Sequence, residues 1–220
     1  MTNVARVISI DAFVFDLDGT LIDSRIDLAH AVNAALAAAD RPPKSSQLIA
    51  GFIGDGVENL LARSFETDDS EVIASALQVF SAHYRQHHLD HTRLYPGVIE
   101  TLDHFRHKAH AVVSNKSEDF SRLIIEGLGL GSRIAVVVGG GSAAALKPDP
   151  APVQLALERL GVAAARAVMV GDGATDIEAG RRAGLRTCAV TYGLGDPQLL
   201  ARAHPDHLLD RIEELRDLFV

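Results

Sequence analysis

Cysteine is nearly absent from this chain of 220 residues: Cys188 stands alone. That excludes a disulfide framework and suits a reducing compartment such as the cytoplasm. Set between Thr187 and Val190 in an apparent strand, Cys188 reads as a small buried apolar residue. A basic excess is missing too. The formal net charge is -8, which argues against nucleic acid or an anionic membrane as partner, so any anionic substrate has to be drawn in by local charge. Long apolar runs are also lacking. Arg6 and Asp11 interrupt the amino-terminal stretch, so no signal peptide is expected. The longest uncharged stretch, from Ile134 to Leu146, falls well short of the roughly 18 residues that suggest a membrane span. A soluble, cytoplasmic protein is the expectation. What is present, 47% hydrophobic and 23% charged residues, is globular, and the length allows one sizeable domain carrying an inserted second one.

The stretch Phe13-Val14-Phe15-Asp16-Leu17-Asp18-Gly19-Thr20-Leu21 carries the first chemical signal. An apolar run ends in two aspartates one residue apart, and Gly19 marks a turn or close backbone approach. Residues two apart on an extended chain project to the same side, so Asp16 and Asp18 start out facing a shared space. Two carboxylates at about 4 Å repel by roughly 4 kcal/mol at an effective dielectric near 20. Either a cation lies between them, one keeps its proton, or the turn separates them.

Helical patterns follow over about 25–39, 47–53, 57–65 and 70–89, with no convincing strand between Leu21 and Arg93. On the first of these, Ile26, Ala29, Val32, Asn33 and Leu36 share a face, and Ser24 with Asp27 reads as helix capping. From Tyr95-Pro96-Gly97 onward helices and strands alternate: helix 96–107, strand 110–113, helix 117–128, strand 134–138, helix 150–160, strand 167–170, helix 175–183 and strand 186–190, with short segments near 207 and 211–219. Near-continuous apolar strands alternating with helices predict an α/β fold, a Rossmann-like parallel sheet covered by helices on both faces. The helical stretch reads as an inserted all-helical cap over residues 23–92, the discontinuous core taking 1–22 and 93–220. Ligands in such sheets lie beyond the carboxyl ends of the strands.

Those ends carry Asp16 and Asp18, then Ser114-Asn115-Lys116, then Lys147 in a loop, then Gly171-Asp172 and Asp176. Ser114 and the amides around Asn115, near a helix start, form a ready oxyanion or phosphate site, whereas Ser117 reads as the helix cap. Lys147 precedes a rigid Pro-Asp-Pro entry in which Asp149 caps the next helix. Thr175 and Glu178 fit a capping box, and Asp176 suits the helix dipole. Asp172 has no evident local duty, and oxygen ligands drawn from separate strand ends suit Mg²⁺. Two patterns read as decoys. Gly139, Gly141 and Ala144 loosely fit a dinucleotide fingerprint, but the prolines at 148, 150 and 152 leave little room for its helix. His83, His87, His88 and His91 have metal-like spacing, but without an acid or cysteine to join them they read as a wet outer face of the cap.

These motifs, in this order, resemble the haloacid dehalogenase superfamily, and most closely its phosphoglycolate-phosphatase-like branch. The resemblance rests on Asp16 to Leu21 with Asp23-Ser24, Leu94 to Val98, Val113 to Lys116, Lys147 to Pro152, and Gly171-Asp172 with Asp176, and it spans essentially the whole chain. It implies that Asp16 is the nucleophile and Asp18 the general acid and base. It further implies that Asp16, the Asp18 backbone carbonyl and Asp172 hold Mg²⁺ with support from Asp176, and that Ser114, Asn115 and Lys147 bind the phosphoryl group. The expected reaction is hydrolysis of a small phosphate monoester, 2-phosphoglycolate above others, through an aspartyl phosphate, by a monomer or homodimer. A sugar phosphomutase or pyrophosphatase of the same superfamily is the alternative, and a phosphoacceptor signalling module the alternative of another class. An acid at Asp18 favours phosphoryl transfer over dehalogenation. Gly141 stands where the branch often has an acid and Gly173 where serine is common, which bears on loop geometry and substrate preference. In the cap, Gly54-Asp55-Gly56 is a candidate turn for reaching substrate, and Arg25 a candidate for meeting a substrate carboxylate.

Overall fold

The structure, a computed structural model, describes residues 7–220; Arg6, which bears on the amino-terminal reading, lies outside them. Its elements in chain order are β1 (Ala12–Phe15), β2 (Ile22–Asp23), α1 (Arg25–Ala38), α2 (Ser46–Ala50), α3 (Val57–Phe65), α4 (Ser70–His87), β3 (Arg93–Leu94), α5 (Val98–His104), β4 (Ala109–Ser117), α6 (Glu118–Gly127), β5 (Val136–Gly140), α7 (Ala151–Leu160), β6 (Ala167–Gly171), α8 (Ala174–Arg182), β7 (Arg186–Val190), α9 (Pro197–Arg202), β8 (His207–Leu209) and α10 (Leu215–Leu218).

Six strands form one parallel sheet in the order β5-β4-β1-β6-β7-β8. β1 therefore sits centrally, which requires both its faces to be apolar. The two-residue period delivers this. Phe13 and Phe15 enter one core with Phe105, Val112, Val168 and Phe219, while Ala12 and Val14 enter the other with Ala111, Val113, Val153 and Met169. Phe13 stacks on Phe15 at 5.5 Å between ring centres and meets Phe105 at 4.6 Å. Each such buried side chain contributes about 1.5–3 kcal/mol over an exposed one. The tip that follows β1 is thus fixed by a central strand buried on both faces.

The helices α1 to α4 interrupt this alternation. One correction concerns their flanks: Ile22 pairs with Leu94 and Asp23 with Arg93, so a two-strand antiparallel ribbon, β2 with β3, forms where no strand was expected. At two residues a strand is too short for period-two patterning to reveal. On α1 the inner face runs through Leu28, Ala29, Ala31, Val32, Ala35 and Leu36, whereas Ile26 is exposed. Helix α5 starts later than its sequence pattern, because Gly97 at its amino end adopts φ of +81°.

Two capping assignments also change. Thr175 and Glu178 do not form the box at the start of α8; the Asp176 carboxylate accepts the Gly173 amide at 2.9 Å instead. Asp27 does not cap α1. Buried beneath the ribbon, its carboxylate accepts the backbone N–H groups of His91 and Thr92, the Thr92 hydroxyl and the His91 ring, all within 3.0 Å. Burial alone would raise the Asp27 carboxyl, but these bonds outweigh it and hold the group below the ordinary carboxylate range. The first helix of the insertion is thereby tied to its return segment. Asp27 and Asp90 also supply the acids that the histidine reading lacked: His91 Nδ1 lies 2.9 Å from Asp27, and His87 Nδ1 lies 2.8 Å from Asp90.

Candidate active site

Beyond the carboxyl ends of β1, β5 and β6 the chain brings Asp16, Lys147, Asp172 and Asp176 together. Lys147 Nζ is 2.6 Å from Asp16 Oδ1, 2.6 Å from Asp176 Oδ1 and 2.6 Å from the Val113 carbonyl. All four side chains are buried. One oxygen from each of Asp16, Asp172 and Asp176 falls within 4.8 Å of the others. Three carboxylates facing one ammonium leave a net charge of about -2 out of water, an arrangement that a bound divalent cation would balance. The strain is visible in the acids: burial pushes the Asp16 carboxyl up to about 8, and burial with the nearby Asp176 charge raises Asp172 to about 6. Burial would lower the Lys147 ammonium, but Asp16 and Asp176 override it and raise it.

Asp172 has local duties that its sequence context hid. Its Oδ2 accepts the amides of Leu194 and Gly195 at 2.7 and 2.9 Å, and Oδ1 accepts the Thr20 hydroxyl at 3.2 Å. The loop after β7 thus holds one oxygen and leaves Oδ1 lightly bonded. Gly19, with φ of +91°, passes so close that an added Cβ would lie 2.1 Å from Asp172 Oδ2. Only glycine lets the β1 tip and the β6 tip approach this far.

Asp18 faces the other way. Its Oδ2 lies 3.3 Å from Lys116 Nζ, and its Oδ1 accepts the Ser24 hydroxyl. Ser24 is therefore no helix cap; it makes no capping bond in α1 and serves Asp18. Of the three outcomes open to the paired aspartates, the turn has separated them and given each its own lysine. The sequence reading placed Lys116 at a strand end without giving it a role, and it missed Tyr84, whose hydroxyl accepts from Lys116 at 3.0 Å beneath the ammonium. No local pattern marks either, because their partners lie 98 and 32 residues away in the chain. Burial would lower the Lys116 ammonium, yet Asp18 raises it; burial takes the Tyr84 hydroxyl up to about 12.

Ser114 accepts the Lys116 amide at 3.3 Å, which leaves its own O–H free to donate. Asn115 acts as a staple. Its Oδ1 accepts the Lys147 amide at 2.8 Å, and its Nδ2 donates to the Lys147 and Gly54 carbonyls, each at 2.9 Å. Asp16, Asp18, Ser114, Asn115 and Lys116 form the floor of a cavity of about 240 Å³ whose roof is Leu28, Ile53, Val57, Leu60, Leu77 and Phe80. Gly54 and Gly56 line it as well, whereas Asp55 pairs with Arg63 at 2.6 Å. Arg25 pairs with Asp23 at 2.7 Å and donates to the Tyr95 hydroxyl. At the end of β5, Gly139 is explained by packing: a Cβ there would meet the Glu118 backbone at 2.4 Å.

A family model described as "Haloacid dehalogenase-like hydrolase" matches residues 13–190. The chain belongs to the haloacid dehalogenase-like hydrolases. Within that family it is similar to "Phosphoglycolate phosphatase, plasmid" of Cupriavidus necator, 38% identical over 93% of this chain and 90% of that protein. It also resembles "Phosphoglycolate phosphatase" of Chromobacterium violaceum, 36% identical over 95% of this chain and 96% of the relative. A crystal structure of "a predicted phosphoglycolate phosphatase" from Haemophilus somnus 129PT superposes with a TM-score of 0.87 at 29% identity, covering 94% and 96% of the two chains. This haloacid dehalogenase-like hydrolase is a phosphatase of that branch with a parallel α/β core. Among its described residues no helix is long and apolar enough to cross a membrane.

Proposed function

We propose that the protein is a Mg²⁺-dependent phosphatase that hydrolyses a small phosphate monoester through an aspartyl phosphate on Asp16. The observation that carries this is the buried set Asp16, Asp172, Asp176 and Lys147, which meets the cavity at Asp16. Phosphate monoesters are among the slowest substrates to hydrolyse, whereas acid-base help alone is worth only about 10²–10⁴ in rate. A carboxylate nucleophile divides the reaction into two easier steps. Lys147 holds one Asp16 oxygen, leaving the other to attack phosphorus as the ester oxygen departs with a proton from Asp18. Asp18 then takes a proton from the water that splits the aspartyl phosphate. Ser24 and Lys116 keep Asp18 aimed for both transfers. Lys147 and the Ser114 hydroxyl donate to the phosphoryl oxygens. Asp16, Asp172 and the Asp18 backbone carbonyl would hold Mg²⁺ with Asp176 behind them, and the bound ion would supply charge neutralisation at the phosphoryl group.

In this reading residues 23–92 are a cap over a core of 1–22 and 93–220, and the cap closes on the site to exclude bulk water. For the substrate we favour 2-phosphoglycolate, on which the names of the relatives agree. Lys116, the one cationic side chain on the cavity wall among the described residues, can meet its carboxylate. The largely apolar roof, on which Ser81 and Tyr84 are the polar side chains, offers the hydroxyls of a sugar phosphate few partners. The test is turnover of p-nitrophenyl phosphate with and without Mg²⁺, then kcat/KM for phosphoglycolate, sugar phosphates, pyrophosphate and nucleotides. Many metal-dependent turnovers with phosphoglycolate ahead are expected. A single lasting phosphorylation would mean a signalling switch, and a preference for pyrophosphate would overturn the substrate.

A further inference from the structure

Away from the cavity, where α1, the carboxyl end of α4 and the return segment meet, histidines gather around two carboxylates. One ligand atom from each of Asp27, His30 and His91 lies within 4.8 Å of the others. His30 and His91 meet edge to face at 5.3 Å between ring centres, and His83 and His87 lie 4.5 Å apart. Three details distinguish this from an incidental surface cluster. His91 turns Nδ1 to Asp27 and His87 turns Nδ1 to Asp90, the carboxylate backing that orients imidazoles bound to metals and leaves their Nε2 atoms free. His83 Nδ1 is buried without a hydrogen-bond partner among the described residues. Asp27 itself is held by backbone donors, so the site's one buried acid is fixed in place.

We propose that the imidazoles of His30 and His91, the latter oriented by Asp27, bind a transition-metal ion of the Zn²⁺ class as a second metal site, between α1 and the segment returning to β3. Imidazole nitrogens select Zn²⁺, Ni²⁺ or Cu²⁺, whereas the all-carboxylate cluster at the sheet suits Mg²⁺; the two sites differ in ligand chemistry and do not compete. Zn–N bonds of about 2.0–2.1 Å require ligand atoms closer than 4.8 Å. Both rings are exposed, and His30, which makes no hydrogen bond among the described residues, can turn toward His91 Nε2 while Asp27 holds Nδ1. Water, or the nearby His83 or His87, completes the coordination. The bound ion would clip the return segment to α1, adding to the grip that Asp27 already has there. This site is independent of the phosphatase reading.

The test is calorimetric titration of Zn²⁺ into tag-free protein held in saturating Mg²⁺, with thermal unfolding and histidine-ring NMR on the same samples. One saturable site, a raised Tm and shifts confined to the His30 and His91 rings and their immediate neighbours are expected. His30→Gln, which removes a ring making no hydrogen bond among the described residues, should weaken binding at least about 10-fold while leaving Mg²⁺-dependent turnover unchanged. Absence of a saturable site would overturn the proposal. So would undiminished affinity in both His30→Gln and His91→Gln, which would place Zn²⁺ among the carboxylates of the sheet.

Discussion

The floor and the roof of the cavity are built from opposite materials. The floor, at the tips of β1 and β4, is almost wholly polar, and every group on it is held: Asp16 by Lys147, Asp18 by Ser24 and Lys116, Asn115 by the Lys147 loop. The roof, from α1, α3, α4 and the turn at Ile53, is mainly leucine, isoleucine, valine and phenylalanine, with Ser81 and Tyr84 its polar side chains. Fixed dipoles and charges at close quarters accelerate a reaction, whereas an apolar wall sorts molecules by size and shape. On the proposed reading the sheet breaks the bond and the helices select the substrate, with Ser24 and Tyr84 of the insertion reaching the floor at Asp18 and Lys116.

Substitutions put this division at risk in proportion to what they remove. Asp16→Asn should have the largest effect, lowering kcat by about 10⁴-fold or more, since it removes the nucleophile rather than a donor. Retained turnover would end the assignment. Lys147→Ala should lower kcat by about 10²–10³-fold, the usual loss for one preorganised donor. It should also raise the demand for Mg²⁺, because three carboxylates then face each other alone. Without metal, stability should fall as pH rises from 5 to 8. Asp16 and Asp172 keep protons in the folded state up to about 8 and about 6, whereas unfolded aspartates lose theirs near 3.9, so the folded form is favoured most at the acid end. Thermal scans in chelator should register this, and Mg²⁺ should restore more stability at pH 8 than at pH 5.

Asp27→Asn tests whether the insertion depends on its tie to the return segment. A loss of about 2 kcal/mol is expected in urea unfolding, from removing a charge bonded to several buried donors. Here the sign is reversed: the folded carboxyl is depressed, so its stabilisation is present above about pH 3.9 and disappears as pH falls through the folded value. Wild type and variant should therefore converge in acid. Smallest is Phe80→Ala, on the roof. It should change the ratio of kcat/KM between p-nitrophenyl phosphate and phosphoglycolate by about 10-fold, leaving kcat for the better substrate nearly intact. An equal loss for both substrates would mean that the helices contribute to the chemistry as well.

Much of this was legible before any coordinates. Strand tips announce themselves, because an apolar run must stop where charge begins, and the tips of β1 and β6 were read from residue pattern, whereas the role expected of Lys147 came from the family resemblance. Failures came where a local pattern and a distant partner compete for one side chain. Ser24 and Asp27 have helix-start spacing, yet Asp18 takes the first, while His91 and Thr92, 64 and 65 residues on, take the second. Asp176, not Glu178, takes the free amide at the start of α8, since it lies at the third position from Gly173. Lys116 was visible but mute, because its meaning comes from Asp18 and from Tyr84 in the inserted helices. Of the acids beside the histidines, Asp27 was missed for the same reason, since it reaches His91 only across the fold, whereas Asp90, three residues from His87, lay within a local pattern and was passed over.

One amide group deserves a last word for what it implies about timing. Asn115 makes three bonds, two to the lysine loop and one to the Gly54 carbonyl in the insertion. If the helices swing away to admit a substrate, only the Gly54 bond has to break. The other two remain, so the ammonium of Lys147 keeps its station while the cavity is open to solvent. The catalytic floor would be ready before the roof comes down, and closure would have to arrange only the guest.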